Sequence, residues 1–445
     1  MLRTSFKYTI WLIFLSLPSN IFSQQDDRVI ILNRADSLVG KVVNGENIRE
    51  LIGNVMFSQG KVVVNCDRAI QNFKTNKIQL TGNVIVRDDS STLYGKRGIY
   101  HSNDKVSEAF DGVQIEEGTQ KLSADYAKYF IDERKIYFKG NVLVQDTATR
   151  LVSDELTYFR TDKKTIAVSN VKISQFKNNM IVYGNYFKNF NKRSFITNSP
   201  RVVQIDTAKD GSSDTLIIVS KEIHSFQDTV ESFLAIDNVI IKRGTVTSES
   251  GTAVYYTDYD SIILRNKPFI WYDQTQVSGD SIFIKLQNRK LDKVYVVGNA
   301  FAISRSDSIL RNRFDQMSGE NITMTFSEDK IQNITVDVTA TSLYYLYEES
   351  LDESSRRPSA KDSTIILRSP NGLNRTTGDQ IIISFIDKSV DKIKIIGGVE
   401  GVYVPENIVR GKEADYNLAG FNWREVKPAL PPNPFAELQR TISNK

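Results

Sequence analysis

Five valines, Val55, Val84, Val113, Val142 and Val171, follow one another at four equal steps of 29 residues. A fixed period of that size restricts the chain to architectures that stack one small unit on copies of itself. Gly53-Asn54, Gly82-Asn83 and Gly140-Asn141 precede three of the valines, and Asp111-Gly112 and Ser169-Asn170 precede the other two. Two residues after each valine come Phe57, Val86, Ile115, Val144 and Ile173. Nine after each come Val64, Leu93, Leu122, Leu151 and Met180. Eleven after, the residues are small at Cys66, Gly95, Ala124 and Ser153, with Val182 the exception. The third position past each valine is polar: Ser58, Arg87, Glu116, Gln145 and Ser174.

Apolar residues at offsets 0 and 2 with a polar residue at 3 have the period of a strand with one buried face. Offsets 9 and 11 repeat the alternation after turn-like stretches such as Asp88-Asp89-Ser90. A third strand is read over offsets 22 to 26, as in Lys135-Ile136-Tyr137-Phe138-Lys139. Each repeat then supplies several short strands. Stacking turns the apolar columns into stripes, so the fifteen residues at offsets 0, 2 and 9 are the candidates for an apolar groove. The 19 Tyr and 23 Phe agree with an all-β chain.

Past residue 200 the repeat loosens. Asp237-Asn238-Val239 and Gly298-Asn299-Ala300 restart it, and Gly397-Gly398-Val399 is the last restart. The expected organisation is a regular module over 24–199 and an irregular one over 200–404 with a polar loop at 348–362. A tail over 405–445 carries Pro428, Pro431, Pro432 and Pro434 and cannot continue a ladder. Residues 1–23 read as a signal peptide. Arg3 and Lys7 precede an apolar run from Tyr8 to Leu17, Pro18 ends it, and Ser23 offers a cleavage point. Ten apolar residues span roughly 15 Å as a helix, about half a bilayer core, so an exported chain is expected.

The chemistry-bearing residues are few. One cysteine and two histidines cannot build a Cys/His zinc site, and +4 net charge among 445 residues does not suit a nucleic-acid binder. His101 and His224 stand apart from each other in the sequence. Asp67, Asp125 and Asp154 share one column of the repeat, which favours a repeated corner role over a single catalytic site. No catalytic residue, metal or cofactor is expected.

With these residues in view, the chain resembles the OstA-like family, the periplasmic bridge proteins of lipopolysaccharide transport of the LptA type. The pattern is Gly-Asn-Val with a second apolar residue two later, then an apolar-x-small-Asp step and an aromatic pair. It stands as Gly140-Asn141-Val142-Leu143-Val144, as Leu122-Ser123-Ala124-Asp125 with Tyr129-Phe130, and as Leu151-Val152-Ser153-Asp154 with Tyr158-Phe159. The match is good over 45–175 and suggestive over 230–400. The resemblance implies an open β-jellyroll, a folded-over antiparallel sheet, here as two stacked modules. It implies a non-enzymatic periplasmic protein of outer-membrane assembly that shields the lipid A acyl chains of lipopolysaccharide. Its partners would be inner- and outer-membrane transport proteins of the same fold, or copies of itself joined head to tail. The chain is about twice as long as a simple bridge protein, and its second half is irregular. A β-solenoid that binds or degrades polysaccharide is the alternative from the residues alone, although its rungs are usually shorter than 29 residues. Edge strands for end-to-end pairing are expected at Val29–Leu32 or Lys41–Val43, and near Ile393–Val404.

Overall fold

The computed structural model describes residues 30–435, except 89–90, 178, 208–212, 228, 288–289, 308, 329, 352–365 and 387–388. The signal peptide and most of the 348–362 loop fall outside these residues, while Glu348 still belongs to the strand Lys330–Leu351. The chain divides into two units. One comprises Met1–Ser213, Glu222–Thr229 and Pro432–Lys445, and the other Asp214–Lys221 and Val230–Pro431. Each is built from antiparallel strands that pair largely in sequence order.

The repeat yields two long strands, not three short ones. Val62–Asn72 and Lys77–Arg87 form one pair, Thr92–His101 and Val106–Glu117 the next. Lys77–Arg87 begins at the expected third strand and runs through Gly82-Asn83 into the next repeat. The Gly-Asn pair looks like a turn because both residues are left-handed, with φ of 76° and 41° at Gly82 and Asn83. It is a bend inside a strand. Ladder pairing skips from Thr81 to Val84 and then resumes. The same left-handed step recurs at Gly53-Asn54, Gly140-Asn141, Ser169-Asn170 and Gly298-Asn299. Each strand therefore has two limbs, and residues from both, such as Leu80 and Val84, join one core cluster.

The aspartate column holds these corners. The side-chain amides of Asn83, Asn141 and Asn170 donate to the carboxylates of Asp67, Asp125 and Asp154 at 2.9, 2.8 and 2.8 Å. Asn54 bonds Asp36 in the same way. A charge-assisted bond at each bend satisfies a side-chain donor where the ladder is interrupted. The recurring Asp thus has a corner role, with the neighbouring strand's Asn as its partner.

In the second unit the C-terminal segment is a strap on the sheet. Past the strand Glu400–Pro405 come a short helix, Glu406–Val409, and irregular chain. Past Pro405 this segment joins no ladder, and buried side chains grip it instead. Gln276 donates to the Arg424 carbonyl (2.7 Å) and accepts from its N–H (3.0 Å). Gln316 does the same with Asn417 Oδ1 (2.6 Å) and the Leu418 N–H (2.9 Å). Val409 and Leu418 bury themselves against Phe301, Ile303, Leu343 and Leu373. The buried Arg313 forks onto Glu406 at 3.0 and 2.7 Å and reaches Glu413 at 3.3 Å. In the first unit, Phe435 is buried and stacks on Tyr183, with ring centroids 5.5 Å apart.

Candidate functional site

The limb past each corner carries two parallel rows of inward side chains in the first unit. The row nearest the corner alternates valines with small residues: Val84 pairs Gly95, Gly95 pairs Val113, and Val113 pairs Ala124. Val142 pairs Ser153 and Val171 pairs Gly184. The five periodic valines are 0–3 % exposed. Burying each stabilises the fold by about 1.5–3 kcal/mol. They form the packed floor.

The second row is open. Phe57 pairs Val64, Val64 pairs Val86, and Val86 pairs Leu93. The line continues through Ile115, Leu122, Val144 and Leu151 to Ile173. It crosses nine strands, or about 38 Å at the usual interstrand spacing. Apart from Val64, these side chains are only half-buried. A closed core covers such residues more fully, so the row keeps part of its apolar surface open to solvent. Met180 is not in the row. The hairpin after Ile173 is two residues longer than its predecessors, so Val182 faces Ile173, and Met180 pairs Gln175 and Gln204.

The periodic reading missed the opposite wall. On the limb before the corner, Leu51, Ala69, Leu80, Gly98, Ala109 and Ala127 pair in series and lead to Phe138, Leu156 and Ala167. The signal was available at offsets 14 and 25, but alanine and glycine there do not register as an apolar stripe. A further row on that limb, Ile78, Tyr100, Ser107, Tyr129, Ile136 and Tyr158, is mixed in polarity. Burial pushes the Tyr158 phenol up to about 12, with the Glu117 carboxylate adding to the effect. Burial also raises Tyr100. Both phenols stay neutral, so the wall offers hydroxyls without charge.

Each of the two histidines sits beside a glutamate. His101 lies 3.0 Å from Glu108, whose other oxygen accepts from Tyr126 at 2.6 Å, and His224 sits beside Glu222. Among the described residues, no group of three or more His, Cys, Asp or Glu side chains is placed to hold a metal ion. No described helix is long and apolar enough to cross a membrane.

Two family models match stretches of the chain. A family model described as OstA-like protein matches residues 27–183. A second, described as LptA/(LptD N-terminal domain) LPS transport protein, matches residues 121–290. Between them the two models match residues 27–290, over which the chain is similar to OstA-like and LptA-type proteins. The two matches overlap over 121–183, and the second runs on into the second unit. A crystal structure of LptH, the LptA-homologous periplasmic component of the lipopolysaccharide transport device of Pseudomonas aeruginosa, aligns at 12 % identity. The alignment covers 44 % of this chain and 92 % of that one with a TM-score of 0.12, too low to carry an argument. No curated protein matches the chain. The all-β antiparallel architecture is the one the sequence resemblance implies.

Proposed function

We propose that this protein is a non-enzymatic carrier in lipopolysaccharide transport that shelters acyl chains in the trough of its first unit. The observation that supports this most is the half-exposed aliphatic row from Phe57 to Ile173. Exposing an acyl chain to water costs about 0.8 kcal/mol per methylene, so a dozen cost roughly 10 kcal/mol. A continuous aliphatic line with near-equivalent positions on nine strands offsets that cost and lets the chain slide. The leader-like residues 1–23 fit an exported, periplasmic protein. The half-buried Ile115 lies in mid-row, and Glu116 on the same strand points outward and is exposed. Ile115→Asp should lower the lipopolysaccharide retained by the purified protein at least tenfold, while Glu116→Lys leaves it within twofold. Both variants are to be checked for folding by circular dichroism. Equal retention by the two would refute the trough.

The ends of the ladder suit a bridging role. At one end, Ile31–Arg34 and Ser37–Val43 pair only with Glu46–Gln59 among the described residues, and expose Ile31, Leu38 and Val42. At the other, Ser389–Ile396 and Glu400–Pro405 pair only with Ile366–Ile386, and expose Val390, Ile393, Val402 and Tyr403. Open apolar edges accept a strand from a neighbour, here a transport protein of the same fold or a second copy. Val42 is 68 % exposed, so Val42→Lys should leave the fold intact and weaken end-to-end association severalfold in sedimentation. Unchanged association would exclude pairing through this strand.

A further inference from the structure

The trough does not continue through the chain. In the first unit the open row stops at Ile173, and the next two residues in line, Val182 and Val202, are buried at 9 % and 6 %. Space beside the floor shrinks at the same place. A Cβ added to Gly95 would meet nothing closer than 4.0 Å, whereas one added to Gly184 would lie 2.4 Å from Ile196 Cγ1. Filling begins with the strand Met180–Phe190.

The interior of the second unit is filled by the same criteria. In the row equivalent to the open one, Ile241, Ser248, Ile270, Val277, Ala302, Met317, Ser342 and Thr376 are buried, and only Gly401 on the terminal strand is exposed. The opposite wall has a run of small residues in the first unit, with Ala69, Gly98, Ala109 and Ala127 beside Leu51 and Leu80; in the second it starts from Ala235 and Ala253 and continues as Leu264, Ile282, Val296 and Ile322, the last four 0 % exposed. Those branched side chains take up the room. A Cβ on Gly279, Gly319 or Gly378 would lie 2.5, 2.6 or 2.7 Å from Val296, Val336 or Ile395 side-chain atoms. Closely packed aliphatic interiors admit no further chain without displacing their own residues.

We infer that the lipid site is confined to the strands from Glu46–Gln59 to Lys164–Gln175, and that the second unit is a solid β scaffold into which no acyl chain passes. The inference rests on the trough reading above. Its consequence is that lipid is both taken up and handed on within the first unit, through the uncovered side of the trough or its N-terminal end. The second unit's strands then add surface for attachment without extending the path.

Photo-leucine, an isostere that preserves packing, tests this in the full chain. After incubation with lipopolysaccharide and illumination, peptides containing Leu93, Leu122 and Leu151 should carry lipid adducts at least tenfold above those containing Leu264. Adducts of equal yield on Leu264 would overturn the confinement and leave the trough standing. Absence of adducts from all four would remove the trough itself, and the confinement with it. A second variant reads the same question by packing. Ala109→Leu with Ala127→Leu gives the first unit a wall like that of the second, and should reduce lipid retention at least tenfold, whereas Ile322→Ala should change it less than twofold. Retention that follows Ile322 and ignores the alanine pair would overturn the inference.

Discussion

Arg313→Ala detaches the C-terminal strap. The guanidinium is 1 % exposed and holds Glu406 and Glu413, whose side chains are 14 % and 7 % exposed. Removing it takes the guanidinium from the enclosed Glu413 and leaves Glu406 with the exposed Arg410, and breaking a buried pair in this way costs about 3–5 kcal/mol. The cost falls on the segment that only side chains hold. Trp423, packed 4.9 Å from Phe314, should become accessible to acrylamide, and residues 406–431 should be cleaved first by protease. Arg410 bonds the same Glu406 at 3.1 Å but is 72 % exposed, so Arg410→Ala should cost less than about 1 kcal/mol. Acid acts at the same point. Hydrogen bonding from Arg313, and then from Arg410, holds the Glu406 carboxyl below its ordinary value of 4.5. A carboxyl depressed in the attached state stabilises attachment fully above that value, and the contribution is lost as the pH falls through its lowered one. Strap release on acidification below pH 4.5 should therefore vanish as a separate step in Arg313→Ala. A variant whose strap stays as protected as the parent's would show that the glutamines alone retain it.

The period of 29 carried most of the fold, because every repeat must place the same residue at the same corner. Val55 to Val171 mark the floor, and the Gly-Asn pairs mark bends that only left-handed residues make easily. Strand length was not legible. A Gly-Asn pair with positive φ carries the composition of a turn, and nothing local says that pairing resumes beyond it. Met180 shows a second limit. Counting by 29 carries no information about a hairpin two residues longer, so the residue that faces Ile173 is Val182. The trough's far wall was hidden because room is made by what is absent, through Gly98, Ala109 and Ala127. The strap was hidden for a related reason. Its grip comes from Gln276 and Gln316, which are ordinary polar residues until the irregular chain from Asn417 to Arg424 lies against them.

The corner itself gives the other large effect, at Gly140. Its φ is 76°, and a Cβ there would stand 2.4 Å from the carboxylate oxygen of Asp125 that accepts from Asn141. Gly140→Ala therefore meets two penalties at once. The left-handed backbone costs a residue with a Cβ about 1–2 kcal/mol, and moving Asp125 aside gives up a hydrogen bond worth a further 0.5–1.5 kcal/mol or so. Together they predict a loss of about 1.5–3.5 kcal/mol, on the order of 10 °C in melting temperature for a unit of this size. Gly118 separates the penalties. It is also left-handed, with φ of 56°, but has nothing within 4 Å of a built Cβ. Gly118→Asn, a residue that tolerates this conformation, should stay within about 0.5 kcal/mol of the parent. Adding Asp125→Ala to Gly140→Ala removes the oxygen in the way. The pair should then lose less stability than the sum of the single changes, by about 0.5–3 kcal/mol of coupling. Strict additivity would mean that the aspartate does not shape the bend. A bend held only by backbone preference would then have no need of the Asp column that recurs at Asp67, Asp125 and Asp154.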